Sequence, residues 1–144
     1  MIRPARPDDV EALAALENQA FASDAWSPAQ VEAELTGANR CVVVAEVGGL
    51  VIGYAAIAVA GDVADLTRIV VAESERRAGV ASALLSALHD AARQAGAERV
   101  LLEVAETNAG ALAFYAARDY REITRRPGYY ANGDGAIVFA RALA

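Results

Sequence analysis

The chain has 144 residues, 56% of them hydrophobic and 22% charged, with a net charge of −6. That length suits one domain spanning residues 1–144, able to bury roughly two-thirds of its unfolded surface, and the composition excludes a disordered polar segment. The acidic balance argues against nucleic-acid binding, which needs Lys and Arg to neutralise phosphates, and suits a cationic substrate.

In chain order, Arg3 to Arg6 reads as a short opening strand stopped by Pro7. Asp8 or Asp9 then supports a helix start, with Val10, Leu13, Ala14, Leu16 and Phe21 at roughly helical spacing. Ser27-Pro28 is a cap followed by a first-turn proline, opening a second helix through Leu35 that Gly37 closes. Cys41 to Val47 and Leu50 to Ala60 flank Gly48-Gly49, a two-residue hairpin signal, and Val63 to Val71 reads as a third strand. Val80, Leu84, Leu88, Ala91 and Ala95 recur at helical spacing up to Gly96. Arg99 to Val104 is a short apolar strand, and Asn108 can cap a helix running to Ala117. Two closing strands, Tyr120 to Arg126 and Ala136 to Leu143, bracket a turn at Asn132-Gly133-Asp134-Gly135.

The strand at 63–71, the helix at 80–95 and the strand at 99–104 make a β-α-β crossover with two parallel strands. The hairpins around it are antiparallel. A mixed, mostly antiparallel sheet flanked by helices follows, in the α/β or α+β class.

No apolar stretch reaches the ~20 residues that span a bilayer, and Met1-Ile2-Arg3-Pro4 does not open a secretory signal. The expectation is a cytoplasmic protein with no membrane partner. The single Cys41 cannot form an internal disulfide, and with the single His89 it cannot build a zinc site. Cys41 opens an apolar run and reads as a structural thiol, and His89 as a solvated helix position.

The sharpest local signal is Arg76-Arg77-Ala78-Gly79-Val80-Ala81, between a strand and a long helix. Small residues there let the backbone approach a ligand, and the free N–H groups of the helix start favour an anion such as a pyrophosphate. An ordinary strand-to-helix turn with solvated arginines explains the same residues. The pattern is neither Gly-x-Gly-x-x-Gly nor a P-loop.

Arg76-x-x-Gly79-x-Ala81, followed by Ala83-Leu84-Leu85, resembles the pyrophosphate loop of the GNAT acetyltransferases, Arg/Gln-x-x-Gly-x-Gly/Ala. Leu102-Glu103-Val104 and Asn108 to Tyr115 resemble the second signature of that superfamily. Trp26-Ser27, Leu66 to Val71 and Arg125-Arg126 with Tyr129-Tyr130 look like its RimI type, the ribosomal-protein alanine N-acetyltransferases. The similarity runs through nearly the whole chain. It implies a GNAT fold of about seven strands and four helices, acetyl-CoA as cosubstrate, and a protein N-terminus, ribosomal by the RimI likeness, as partner.

The same resemblance implies residue roles. Ile69, Val70 and Val71 lie along the pantetheine arm, and Arg76, Arg77, Ala78, Gly79, Val80, Ala81 and Ser82 hold the pyrophosphate. Asn108 contacts the cofactor, Glu103 is the general base, and Tyr115 points at the sulfur and protonates the leaving thiolate. A backbone N–H near Val70 stabilises the oxyanion. Trp26, Tyr129 and Tyr130 are substrate-binding candidates. Glu103 also stands out physically, because it interrupts the apolar run Val100-Leu101-Leu102-Val104. A strand-face glutamate in water or paired with arginine is the simpler account of that residue alone, and Tyr115 alone reads as core. Asp65, Glu73 and Glu75 are other acids, with Asp65 as runner-up base or substrate ligand, although a solvated strand end is its simpler account.

The chain departs from the family pattern at three places. Asp119 stands where a glycine often precedes the aromatic, Gly135 where an acid often precedes the last strand, and Pro127-Gly128 separates the arginine pair from the tyrosine pair. The acceptor reading rests on amine acidity. A free α-amine has a pKa of about 7.7–8.0 and lysine about 10.4, so deprotonating lysine at neutral pH costs on the order of 3 kcal/mol more. One modest base suits the N-terminal amine. Two alternatives share the fold: transfer to lysine or a small amine, and a noncatalytic CoA-binding module.

Overall fold

A computed structural model describes residues 1–21, 23–76 and 79–143. Its elements are β1 (Ile2–Pro4), α1 (Val10–Ala20), α2 (Pro28–Thr36), β2 (Arg40–Val47), β3 (Leu50–Ala60), β4 (Val63–Val71), α3 (Val80–Gln94), β5 (Arg99–Ala105), α4 (Ala109–Ala116), β6 (Arg121–Arg126) and β7 (Ala136–Ala142). The strands form one sheet in the order β1-β2-β3-β4-β5-β7-β6. Only β4 and β5 are parallel; every other neighbouring pair is antiparallel. Seven strands, four helices and one parallel crossover pair match the sequence expectation, with ends shifted by a residue or two. No described helix is long and apolar enough to cross a membrane.

The local chemistry accounts for these boundaries. Ser27 caps α2 by accepting from the Gln30 N–H at 3.2 Å, and the Gln30 side chain accepts the Ser27 N–H at 2.8 Å. Gly48 and Gly49 take φ of +58° and +82°, the left-handed pair that a tight hairpin with the twist of its strands requires. Asp119 also has a positive φ, +70°, which explains why the resemblance led us to expect glycine there.

Helices cover both faces. On one, Leu13, Leu16 and Val31 pack over Val42, Val44, Tyr54, Ala56 and Val70. On the other, Leu84, Leu85, Leu88 and Ala92 pack over Val43, Ala55, Ile57, Val100 and Leu102. Helix α3 sits close to β3 because Gly53 has no side chain. A Cβ there would lie 2.9 Å from the Val70 carbonyl oxygen, 3.3 Å from Leu84 and 3.4 Å from Val80.

Strands β4 and β5 are joined by three residue pairs only, Val63–Arg99, Ala64–Val100 and Asp65–Leu101. Just beyond, β4 carries a bulge: Arg68 pairs with Ala56 and Leu66 with Ile57, leaving Thr67 as the extra residue. The two strands then separate, while β5 stays paired with β7 over its whole length. A gap opens through the middle of the sheet.

Gly53→Val should therefore lower unfolding free energy by about 1–3 kcal/mol, measured as a fall in the thermal midpoint. A midpoint equal to the parent's would mean that α3 and β3 can part there without cost.

Candidate functional site

The gap between β4 and β5 is the floor of a cleft of about 710 Å³. Leu66 to Ile69 line one side and Leu102 to Ala105 the other, with Asn108, Ala111 and Tyr115 from the α4 segment. The loop after α1 adds Phe21, Ser23 and Asp24, and the loop before β7 adds Tyr130, Asn132 and Asp134. Ala72 N–H donates to the Ile52 carbonyl, so by the alternation of an antiparallel pair Val70 turns its polar groups to β3. The backbone groups of Ile69 and Val71 thus face the gap, where β5 offers them no partner. The expected donor near Val70 therefore corresponds to the N–H groups of Ile69 and Val71, since those of Val70 turn to β3.

Leu102 and Val104 belong to the core beneath α3, so Glu103 between them points to the other face of the sheet. Its carboxylate lies 3.6 Å from Arg126 Nε. Tyr115 approaches from the α3 and α4 face, where its ring meets Tyr120 edge-on at 5.5 Å between centroids. Burial pushes its phenol pKa up to about 12. The two expected acid–base groups therefore reach the same cleft from opposite faces, and the gap is what connects them.

At the start of α3, Gly79 adopts φ +81° and makes no side-chain cap, so the first-turn N–H groups of Val80, Ala81 and Ser82 have no side-chain partner among the described residues. Arg76 is exposed, and its Nε donates to the Val71 carbonyl at 3.4 Å. Arg77 and Ala78 lie outside the described residues. Asn108 caps α4 through a 3.1 Å bond from the Ala111 N–H. Tyr130 lines the cleft. Tyr129 is 51% exposed and stacks edge-on against Tyr130 at 5.1 Å; the adjacent Glu103 carboxylate raises its pKa. Trp26 is not among the lining residues. Its ring lies under Arg68 instead, 4.7 Å from the guanidinium carbon.

That guanidinium is part of a cluster that sequence reasoning missed. Glu17 on α1 is 0% exposed and accepts from Arg68 Nε at 3.0 Å, from Arg68 Nη2 at 2.6 Å, from the Trp26 N–H at 2.9 Å and from the Tyr54 hydroxyl. Arg68 also donates to the Asp24 carbonyl at 2.8 Å and covers the Phe21 ring at 4.1 Å. Burial alone would raise the Glu17 pKa, but the donors from Arg68, Trp26 and Tyr54 outweigh it and hold the carboxyl below its usual range. Tyr54, buried and facing that carboxylate, is pushed well above the ordinary phenol value. The cluster ties the loop carrying Ser23 and Asp24 to β4 at the edge of the cleft. The available signal was spacing, since Glu17 lies four residues after Leu13 on the apolar stripe of α1.

Two expectations change. His89 is buried, at 5% exposure, with Nε2 2.7 Å from the Tyr120 hydroxyl. It is not solvated, because Tyr120 and Arg141 close over that face of α3. Asp65, the runner-up base, is exposed at the last β4–β5 pair and outside the cleft lining. Cys41 is half-buried and packs against the α3-side core. At Gly135, a Cβ would come within 2.9 Å of Glu106 Oε2, and the Gly135 N–H donates to Glu106 Oε1 at 3.1 Å. An acid cannot replace it without displacing Glu106.

The Acetyltransferase (GNAT) family model matches residues 8–120. The [Ribosomal protein bS18]-alanine N-acetyltransferase of Escherichia coli K12 is 36% identical over 95 residues, 64% of this chain and 64% of that protein. An N-alpha-acetyltransferase of Saccharolobus solfataricus is 37% identical over 76 residues, 52% of this chain and 46% of its own. The chain thus spans about half to two-thirds of the length of these relatives. The crystal structure of the ribosomal-protein-S18-alanine N-acetyltransferase from Escherichia coli superposes with a TM-score of 0.90 at 27% identity, covering all of this chain and 94% of that one.

Removing the Glu17 carboxylate by Glu17→Ala strands Arg68 and should cost about 3–5 kcal/mol, read by denaturant unfolding at neutral pH. Because the folded pKa of Glu17 is lowered, its contribution is complete above the ordinary Glu value of about 4.3 and drains away as pH falls toward the folded value. Glu17→Gln should flatten stability over that acid range relative to the parent. Parallel pH profiles would show that folding leaves the Glu17 pKa unshifted.

Proposed function

The chain belongs to the acetyltransferase (GNAT) family, and on that premise we propose that residues 1–144 act as one catalytic domain that moves an acetyl group from acetyl-CoA to a primary amine. The preferred acceptor is the α-amine of a protein beginning with alanine, of the small-subunit ribosomal kind, met in the cytoplasm. The observation that carries this reading is the gap between β4 and β5, with Glu103 and Tyr115 reaching it from opposite faces of the sheet.

The residues present fit the donor. The strand edge at Ile69 and Val71, which β5 does not pair, suits the amide groups of a pantetheine arm. The uncapped first turn of α3, with Gly79 in a left-handed conformation, suits a pyrophosphate approaching the backbone. Arg76 adds positive charge nearby, and Asn108 lines the cleft. Bound acetyl-CoA supplies an activated thioester, so no nucleophile of the chain is required. Cys41 is consistent with that, since burial raises its thiol pKa.

Glu103 takes the proton of the attacking amine, directly or through water, from the face where Asp24, Asp134 and Tyr130 also line the cleft. Those carboxylates favour a positively charged amine arriving from solvent. Tyr130, with Tyr129 at the rim, offers flat contact to a peptide backbone. Trp26 acts through Arg68 and Glu17, by fixing the loop that carries Asp24. The N–H groups of Ile69 and Val71 would donate to the thioester carbonyl oxygen as it gains charge. Tyr115 stays protonated at neutral pH and donates to the departing sulfur.

Glu103→Gln and Tyr115→Phe should each reduce turnover by about 10²-fold or more while acetyl-CoA binding persists; parental rates in both would overturn these roles. With Tyr115 protonated up to about pH 12, activity should rise with pH as the amine deprotonates and show no fall below about pH 10. A descending limb near neutrality would exclude Tyr115 as the donor.

Mass spectrometry of two peptides with the same Ala-initiated sequence, one with a free α-amine and one blocked, tests the acceptor. Acetylation confined to the free α-amine is expected. Modification of an internal lysine in both would move the acceptor to lysine, and binding without transfer would leave a CoA-binding module.

A further inference from the structure

A second pocket shares no lining residue with the cleft. It lies along α3, the residues after α4, and β7, encloses about 170 Å³, and is lined by Ser82, Ser86, His89, Arg93, Arg118 and Arg141 with Leu85 at its base. Three arginines converge there although the chain carries a net charge of −6. No carboxylate is among the lining residues.

Each guanidinium is fixed but not saturated. Arg118 donates through Nε to Ser82 Oγ at 3.4 Å and through Nη1 to the Phe114 carbonyl at 2.9 Å, with its plane over the Phe114 ring. Arg93 donates to the Leu143 carbonyl at 2.9 Å and to Asp90 at 3.0 Å. Arg141 donates Nη1 to His89 Nδ1 at 2.5 Å, which makes Nε2 the protonated nitrogen facing the Tyr120 hydroxyl. Burial, then Arg141 and Arg93, push the His89 pKa down to about 4, while Asp90 opposes them. A neutral imidazole held against a guanidinium, rather than a carboxylate, marks a locally electropositive site.

We propose that this pocket binds a phosphate group, gripped by Arg118 and Arg141 with the hydroxyls of Ser82 and Ser86. A guanidinium fork matches phosphate oxygens and keeps its charge at every relevant pH. Two serine hydroxyls complete the donor set, and the small polar volume suits an anion better than an apolar ligand. Two sources share this chemistry. One is the ribose phosphate of acetyl-CoA, which rests on the proposed function and on Ser82 lying in the first turn of α3. The other is free phosphate, which does not depend on it.

His89 is the chain's one histidine, so its ring signals in NMR report this pocket without assignment ambiguity. At pH 7 and constant ionic strength, inorganic phosphate should shift those signals saturably at millimolar concentration, and chloride should not. Arg118→Gln should weaken that binding at least tenfold, and Arg118→Lys should restore part of it. Comparing acetyl-CoA with its 3′-dephospho form separates the sources. A tenfold or greater KM preference for acetyl-CoA, lost in Arg118→Gln, identifies the ribose phosphate. Equal use of both donors, with phosphate still bound beside saturating acetyl-CoA, identifies free phosphate. A flat NMR titration together with equal donor use would overturn the proposal, and the NMR arm reads it even if the chain transfers no acetyl group.

Discussion

The separation of β4 from β5 is the constraint on which the rest of this molecule depends. A strand pair that stayed zipped beyond Asp65–Leu101 would bury the polar groups of Ile69 and Val71 in a ladder and close the sheet. The bulge at Thr67 prevents this by adding one residue to β4 and turning it away. Its hydroxyl lies within reach of two acceptors, Glu34 at 2.8 Å and the Ala56 carbonyl at 3.2 Å. Meanwhile β5 is held by β7 through seven pairs, and it cannot follow. The gap is built by two strands with different commitments.

The same geometry lets one sheet present chemistry on both faces. Side chains alternate along β5, so the residue between two core positions must leave the core. Glu103 does this between Leu102 and Val104. In a closed sheet it would be separated from Tyr115 by a layer of backbone. Here the layer is missing at that point. The two pockets also differ in charge: Asp24, Glu103 and Asp134 line the cleft with Arg68, which Glu17 pairs, and Arg93, Arg118 and Arg141 line the other.

Most of this was legible in the sequence wherever the signal was local. The Gly48-Gly49 hairpin, the Ser27-Pro28 cap, the α3 stripe and the Gly79 turn each follow from a few adjacent residues, and each stands in the structure where it was read. Local reading cannot see where β7 goes. Its insertion between β5 and β6 is set by long-range pairing. The Glu17 cluster was invisible for the same reason, because Tyr54 and Arg68 lie 37 and 51 residues further along the chain. His89 was read as solvated from its helix neighbours, when what buries it are Tyr120 and Arg141, 31 and 52 residues away. The departures from the family pattern were visible in sequence but not interpretable there. Asp119 turned out to occupy a left-handed backbone position, and Gly135 to make room for Glu106.

The Glu17 cluster also bears on why the cleft has a defined edge. A buried ion pair contributes little net stability over a well-packed apolar alternative, because both charges must be dehydrated. Its distinctive effect is geometric. Four donors from β3, β4 and the loop after α1 meet one carboxylate carried by α1. An apolar contact could slide by an ångström with small loss, whereas this set cannot shift without leaving a charge unpaired in the interior. The loop bearing Ser23 and Asp24 is thereby registered to the strand that diverges at the gap. A cluster outside Glu103 and Tyr115 thus fixes the position of one edge of the cleft.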